Sequence, residues 1–349
     1  MSKKLPVLGI IGGGQLGSML CEAAGKINVK TVVFSDDKES PAKNFCNRFI
    51  YSKYDDLNII KKFSNLVDLV TFEFENIPYE ILNLISKDKN VIPDPKINQI
   101  LQNRKKEKSF LNKIGIKTTN WALIESKEDI LKNVNLLPGI LKTCTLGYDG
   151  KGQRVINNIS DIKSDWCFSE EYILEKKVDL KKEISVIITR YANGNSSIYE
   201  PIENVHKEQI LQNSKIPAII SKEILEQSQT NAKTIVEKLN YIGTMCIEYF
   251  INEKNELLLN EVAPRVHNSG HLTINAFNIS QFENHIRAVC NLKKIDLNKK
   301  SNAEMINILG QDIENYRNKS FKSNEFFYDY LKKEIKNKRK MGHLTILKN

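Results

Sequence analysis

Twelve consecutive residues, Asn260 to His271 (NEVAPRVHNSGH), carry an acid, an arginine, two histidines, two asparagines and a serine. A segment this polar does not build a core; it offers clustered donors and acceptors to a polar ligand. The stretch leading into it, GTMCIEYFINEKNELLLNEVAP, reads as two apolar strands joined by a turn. A turn centred between Lys254 and Asn255 sets Glu248 opposite Glu261 on one face. Two carboxylates about 4 Å apart repel by roughly 4 kcal/mol at an effective dielectric near 20, and opposed like charges destabilise a sheet. A cation removes the conflict, and oxygen ligands beside phosphates favour Mg²⁺. A slipped register, or glutamates turned to solvent, is the competing reading.

Two glycine loops offer anion sites. In LKTCTLGYDGKGQ, Leu141 to Gln153, Lys142 ends a predicted strand, and Gly147, Gly150 and Gly152 surround Lys151. Glycine backbones of this kind present N–H groups to phosphate oxygens, although Asp149-Gly150 also signals an ordinary hairpin turn. The Walker spacing is absent. The earlier loop, GGGQLG from Gly12 to Gly17, fits G-x-G-x-x-G between a strand and a helix, and Asp36 follows the next strand. By itself that context predicts an NAD-dependent oxidoreductase; any phosphate at the helix N-terminus would serve as well.

These residues need a scaffold, and the chain has 349 residues to supply it, 41% hydrophobic and 27% charged, as in soluble globular proteins. LPVLGII, GQLGSMLCEAAGKI and KTVVFSDD read as strand, helix and strand, and LVDLVTFEFENIP as a later strand of the same α/β sheet. Two prolines in VIPDPKIN mark a boundary. INQILQNRKKEKSFLNKIG reads as one helix stopped at Gly115. An α+β region follows, with strands in GILKT, YILEKKV, EISVIITRY, SSIYEPIENVH, GTMCIEYFI and ELLLNEVA, and a helix in SKEILEQSQTNAKTIVEKLN. SQFENHIRAVCNL is another helix, and KMGHLTIL a final strand. No apolar run reaches the length of a membrane span, and the N-terminal segment lacks a cleavage pattern. Six cysteines without CxxC spacing fit a reduced cytoplasmic protein. The net charge of +10 reflects lysine-rich composition with only eight arginines, and no nucleic-acid-binding motif accompanies it.

Taken in order, GGGQLG, TFEFENIP, GYDGKGQ, ENVH, NEVAPRVHNSGH and RKMGH resemble the N5-carboxyaminoimidazole ribonucleotide synthases of purine biosynthesis, within the ATP-grasp superfamily. The resemblance spans nearly the whole chain. It implies three domains: an N-terminal α/β domain over 1–97, an ATP-grasp domain over 98–285 and a small C-terminal β domain over 286–349. It implies an ATP- and bicarbonate-dependent ligase that forms carboxyphosphate and carboxylates the amine of aminoimidazole ribonucleotide, with Mg²⁺, as a cytoplasmic homodimer without nucleic-acid or membrane partners.

The same resemblance implies the site. Arg104 and Lys142 contact the ATP phosphates, and Gly147, Tyr148, Asp149, Gly150, Lys151, Gly152 and Gln153 close over them. Glu175, Lys176, Lys177 and Val178 line the adenine, Glu183 holds the ribose, and His206 and Asn260 complete the nucleotide site. Glu248 and Glu261 carry Mg²⁺, Glu261 also reaching ATP. Gly14, Gln15, Leu16, Glu75, Asn76, Tyr148, His267, Asn268 and Ser269 meet the ribonucleotide. Arg265 clamps the carboxyphosphate, and Arg339 and Lys340 take the 5′-phosphate. Asp149, Arg265 and Lys340 are the catalytic candidates, Asp149 for accepting the amine proton or merely shaping the turn. Three of the eight arginines, Arg104, Arg265 and Arg339, fall in these motifs, where bidentate anion recognition favours arginine over lysine. The sequence departs from the family's usual residues at Ser18, Val266 and Cys144 to Leu146. The rival readings are another ATP-grasp ribonucleotide ligase, such as formate-dependent glycinamide ribonucleotide transformylase, and the NAD-dependent oxidoreductase.

Overall fold

The fold is taken from a computed structural model that describes residues 4–147, 152–163, 166, 168 and 170–348. The N-terminal apolar runs form strands Val7–Ile11 (β1), Lys30–Ser35 (β2), Arg48–Tyr51 (β3), Leu69–Phe72 (β4) and Asn90–Val91 (β5), all parallel, in the order β3-β2-β1-β4-β5. Their continuous apolar character follows from burial on both faces. Leu8, Ile10 and Val33 pack into one core, and Ile11, Val32 and Phe34 into another.

The first glycine turn leads from β1 into the helix Gln15–Lys26. Two of its amides are taken by a protein carboxylate. Glu73, just past β4, accepts hydrogen bonds from Gly14 N at 2.7 Å and Gly17 N at 2.9 Å. A protein carboxylate thus sits where a pyrophosphate would lie, which corrects the dinucleotide reading. Gly12 has φ +93°, and a Cβ there would stand 2.6 Å from Glu73 Cγ.

Downstream, Trp121–Ile124 (β6), Gly139–Thr143 (β7), Gln153–Ile156 (β8) and Tyr172–Lys176 (β9) form an antiparallel sheet of order β6-β9-β7-β8. A nine-stranded sheet contains Leu180–Arg190 (β10), Ser196–Ile198 (β11), Ile202–Lys207 (β12), Ile210–Ile216 (β13), Gly243–Asn252 (β14) and Leu257–Ala263 (β15), and also the C-terminal strands Asn302–Leu309 (β16), Glu325–Asp329 (β17) and Lys340–Lys348 (β18). Its order is β15-β14-β10-β12-β13-β16-β18-β17, with β11 beside β10. The C-terminal strands therefore continue the sheet of β10–β15 through the β13–β16 ladder. Helix Lys222–Lys238, capped by Ser221, lays Ile224, Ser228, Ala232, Ile235 and Val236 against that sheet, at the spacing of one helical face.

Two elements differ from expectation in ways that matter for the site. The helix expected as one piece is two, Pro95–Leu101 and Arg104–Lys113. Asn103 adopts an extended backbone and caps the second helix through Lys106 N, which places Arg104 at a helix start. The β14–β15 hairpin does set Glu248 opposite Glu261, but by a different route. The turn centres on Lys254, with Asn252 Oδ1 accepting from the amides of Lys254 and Glu256. Tyr249 consequently pairs with Leu259, and the register shifts at Asn260 before the glutamates meet. A bulge of this kind inserts one residue and re-aims the side chains beyond it. Strand SSIYEPIENVH is also split, into β11 and β12 around Tyr199 to Pro201. Strands β3, β5, β6, β8, β13, β16 and β17 were not legible in the pattern, being short or interrupted by polar residues.

The glycine loop yields a stability prediction. Gly12→Ala meets both the positive φ and Glu73 and is expected to cost about 2–4 kcal/mol. Gly25→Ala, in the helix that follows and with nothing within 4 Å of a Cβ, is expected to stabilise by about 0.5–1 kcal/mol. Urea denaturation of the two variants checks the contrast.

Candidate active site

The three units converge on two adjoining cavities of about 410 and 450 Å³, the size of small-molecule sites. The first is lined by Gln15, Leu16, Glu73, Glu75, Asn76, Gly147, Arg265, Lys332 and Arg339. The second is lined by Lys142, Gln153, Glu175, Lys176, Lys177, Val178, Glu183, His206, Glu248 and Asn260. Arg104, Glu261, His267, Asn268 and Lys340 line both. Most residues expected to meet the nucleotide line the second cavity and most expected to meet the ribonucleotide line the first; Gly147 lies on the first, and Gly14, Gly152 and Ser269 line neither. Tyr148, Asp149, Gly150 and Lys151 lie outside the described residues.

Charge organises the second cavity. Lys142, at the end of β7, is buried and pairs with Glu175 of β9 at 3.0 Å. Lys108, fully buried on the helix Arg104–Lys113, pairs with the other oxygen of Glu175 at 3.2 Å, and Thr119 Oγ1 donates to this carboxylate at 3.0 Å. Burial alone would raise the Glu175 pKa, but the two ammonium groups hold it down to about 2. Burial, with Arg104 and Lys108 nearby, lowers that of Lys142. The Glu175 side chain is therefore turned toward two lysines. His206 Nδ1 lies 2.5 Å from Glu183 Oε2; burial would lower its pKa, but Glu183 and Glu248 raise it.

The paired glutamates are unequal. Glu248 is raised by burial and by Glu261. Burial would raise Glu261 too, but Arg104, whose Nη1 lies 3.1 Å from Glu261 Oε2, and Lys142 lower it. The proton therefore resides on Glu248 first. Beside them Asn260 Oδ1 is buried with no hydrogen-bond partner among the described residues. Two carboxylates and an orphaned amide oxygen are a hard donor set that fits Mg²⁺. Glu107, in the second helix, secures the next residue of β15 by accepting from Val262 N at 2.6 Å. Burial, followed by Glu261, pushes Glu107 up to about 7, against the opposing pull of Lys108 and Arg104.

The polar segment after β15 surrounds the first cavity. Arg265 grips the Glu75 carboxylate through Nε and Nη2 and donates from Nη1 to Val266 O at 3.0 Å. Arg265 and Glu75, expected as separate substrate groups, are thus one bidentate pair. The backbone of His267 is clamped by Gln281, which accepts from its N–H at 2.9 Å and donates to its carbonyl at 2.6 Å. A Cβ on Gly270 would stand 2.6 Å from that amide, which explains the glycine. Asn268 Oδ1 accepts from Asn307 Nδ2 of β16 at 2.9 Å. Ser269 is fully buried behind His267, bonded to Ser185 Oγ at 2.8 Å, and lines neither cavity. His271 is also fully buried, its ring tilted against that of His343 at 4.9 Å and its Nε2 3.2 Å from Gln15 Nε2. Arg339 lines the first cavity and donates to Glu334 O at 3.0 Å.

Sequence reading missed Glu73, Gln281 and Lys332. Lys332 Nζ donates to Gln15 Oε1 at 3.0 Å and to Lys340 O at 2.6 Å, tying the C-terminal segment to the first glycine turn. Glu73 stood within TFEFENIP and carried a legible signal; Lys332, one of many lysines, carried none. Leu146, at the head of the second glycine loop, has φ +59°, a left-handed conformation unusual for leucine.

Fold and site together define an ATP-grasp ligase. The ATP-grasp domain family matches residues 109–282, the ribonucleotide synthetase preATP-grasp domain residues 5–102, and the phosphoribosylaminoimidazole carboxylase C-terminal domain residues 303–349. The N5-carboxyaminoimidazole ribonucleotide synthase of Brucella melitensis biotype 1 is 39% identical over 98% of this chain and 96% of its own length. That of Bacillus subtilis strain 168 is 39% identical over 100% and 94% respectively. A Staphylococcus aureus N5-carboxyaminoimidazole synthetase complexed with ADP superposes with a TM-score of 0.93 at 37% identity, covering 99% of this chain and 93% of its own. An Aspergillus clavatus N5-carboxyaminoimidazole synthase in complex with ADP and 5-aminoimidazole ribonucleotide gives 0.90 at 26%, covering 99% and 94%. The chain belongs to the N5-carboxyaminoimidazole ribonucleotide synthase family.

Glu107 sets a pH dependence. A carboxyl raised from 4.5 to about 7 on folding binds more protons in the native state between those values. Its contribution is complete below about 4.5 and is lost as pH rises through about 7. Glu107→Gln keeps an acceptor for Val262 N and is expected to flatten this decline by up to about 3 kcal/mol. Urea unfolding at pH 5 and pH 8 on both proteins measures the difference.

Proposed function

We propose that this protein uses ATP and bicarbonate to carboxylate the exocyclic amine of 5-aminoimidazole ribonucleotide, giving the N5-carboxy product in purine biosynthesis. The observation that carries the reading is the shared wall of Arg104, Glu261, His267, Asn268 and Lys340 between the two cavities. A reactive acyl phosphate made on the nucleotide side has only that wall to pass before meeting an amine on the other. Bicarbonate oxygen takes the γ-phosphoryl group, releasing ADP; the amine nitrogen then bonds to the carboxyl carbon, and phosphate leaves with the bond it breaks. The amine proton goes to a base, for which Asp149 is our candidate.

In this reading Lys142 and Arg104 bind the nucleotide phosphates, with Glu175 fixing Lys142 in place and Lys108 holding the other oxygen of Glu175. Residues 147 to 153 cover them, Lys176 to Val178 line the adenine, and Glu183 and His206 bind the ribose. Glu248, Glu261 and Asn260 hold Mg²⁺, which neutralises phosphate charge when bound. Gln15, Leu16, Glu75, Asn76, His267 and Asn268 orient the ribonucleotide, supported from behind by Gly14 and Ser269. Arg265, kept cationic by Glu75, faces the acyl phosphate, and Arg339 and Lys340 take the 5′-phosphate. Domain limits at 1–97, 98–285 and 286–349 complete the reading, as does a homodimer in the cytoplasm. No helix among the described residues is long and apolar enough to cross a membrane.

The expected outcome is ADP release with Mg²⁺ and bicarbonate that requires aminoimidazole ribonucleotide. Glu248→Gln and Glu261→Gln should each lower kcat at least about a hundredfold. Rates unchanged in both variants would remove the metal assignment. Turnover indifferent to the ribonucleotide, or driven by formate and glycinamide ribonucleotide, would remove the substrate.

A further inference from the structure

Cys246 and Glu248 project from the same face of β14, and the turn after β15 brings the His267 ring beside them. One ligand atom from each of these three residues lies within 4.8 Å of the other two. The His267 ring is already oriented. Its Nδ1 is 2.9 Å from Ser269 Oγ and accepts from Ser269 N at 3.3 Å, and its Nε2 is 3.3 Å from Glu248 Oε1. Cys246 Sγ lies beneath, 3.9 Å from the same Ser269 Oγ. Glu248 and His267 border the nucleotide cavity, so an ion among the three would keep an open position toward it.

The chemistry of this set differs from that of the glutamate pair. A thiolate, an imidazole and a carboxylate suit a borderline ion such as Zn²⁺, at about 2.0–2.3 Å from each ligand. Ligands on such a tetrahedron stand roughly 3.3–3.8 Å apart, so closing the site requires shifts of about an ångström. The sequence gives no hint of it, because Cys246 and His267 are separated by the hairpin and form no metal-ligand spacing motif.

We propose that Cys246, Glu248 and His267 form a site for a thiophilic divalent ion, Zn²⁺ above all, that shares Glu248 with the Mg²⁺ pair. On binding, the ion replaces the Cys246 thiol proton, which passes to solvent. For Nε2 to reach the ion, the ring proton must sit on Nδ1, which then donates to Ser269 Oγ and gives up the hydrogen bond it accepts from Ser269 N at 3.3 Å. Glu248 is then withdrawn from Mg²⁺, and Zn²⁺ inhibits in competition with Mg²⁺. The ion-binding half rests on the placement of three side chains and stands apart from the reaction assigned above.

The test uses the full chain, reduced and free of nucleotide, with Co²⁺ as the probe. Wild type is expected to develop a thiolate-to-cobalt charge-transfer band in the near ultraviolet that saturates at one equivalent. Cys246→Ala is expected to lack it, and His267→Gln to bind Co²⁺ at least about tenfold more weakly. In turnover assays Zn²⁺ should inhibit wild type, added Mg²⁺ should relieve the inhibition, and Cys246→Ala should raise the inhibitory Zn²⁺ concentration at least about tenfold while leaving the Zn²⁺-free rate unchanged. Cys246→Ser, closer in volume, replaces the alanine variant if the latter unfolds early. A missing band in wild type, a band that survives loss of Cys246, or equal Zn²⁺ inhibition of wild type and variant overturns the proposal. Failure of turnover alone would count against the assigned reaction and leave the Co²⁺ result to decide the site.

Discussion

Two carboxylates facing each other on adjacent strands set the terms for everything around them. Glu248 and Glu261 cannot both be ionised at that spacing without a positive counterpart. The chain supplies part of it: Arg104 pairs with Glu261, and Lys142 lowers the same carboxylate. Holding those cations in place requires further anions in turn. Glu175 holds Lys142 and Lys108, and Glu75 holds Arg265. Buried charges are tolerated when each is paired and hydrogen-bonded, and breaking one member is costly because its partner is left behind. The site is therefore a chain of mutual dependence in which few members can be altered alone.

The first glycine turn shows how far a motif can be trusted. Glycines at a helix N-terminus create an anion site, and here the protein fills it with Glu73. The physics behind the motif was right and the identity of the anion was not. The result links the end of β4 to the start of the first helix. Gln15 and Leu16 then face the first cavity at fixed positions.

Much of the site was legible because it lies in short polar segments set among apolar strands: Glu75, Arg265 and His267 all announce themselves in this way. The glutamate pair was legible for a less secure reason. The turn was expected half a residue from where it lies, and the bulge at Asn260 supplied the extra residue that restores the pairing. Bulges leave little mark on a sequence, since they depend on which backbone groups go unpaired. Gln281 was invisible because its role is to clamp the backbone of His267, a contact that no side-chain pattern encodes. The break at Asn103 was readable in principle, as asparagine is a favoured helix cap, but it stood inside a pattern otherwise continuous for a helix.

The nine-stranded sheet runs without interruption from β15, which bears Glu261, to β18, which begins at Lys340. The β6–β9 sheet, which bears Lys142 and Glu175, is a separate hydrogen-bonded layer with no strand ladder to β15 among the described residues; Thr118, just before β6, bridges to Leu259, and Cys144 O, just after β7, accepts from Arg104 N. The mechanics of the molecule follow from that asymmetry. Hinging within the large sheet would break a ladder of backbone bonds, whereas tilting the small one would break few, chiefly Arg104 N to Cys144 O, together with the Lys108–Glu175 ion pair. The large sheet is the anvil of this machine, and the small sheet is the jaw.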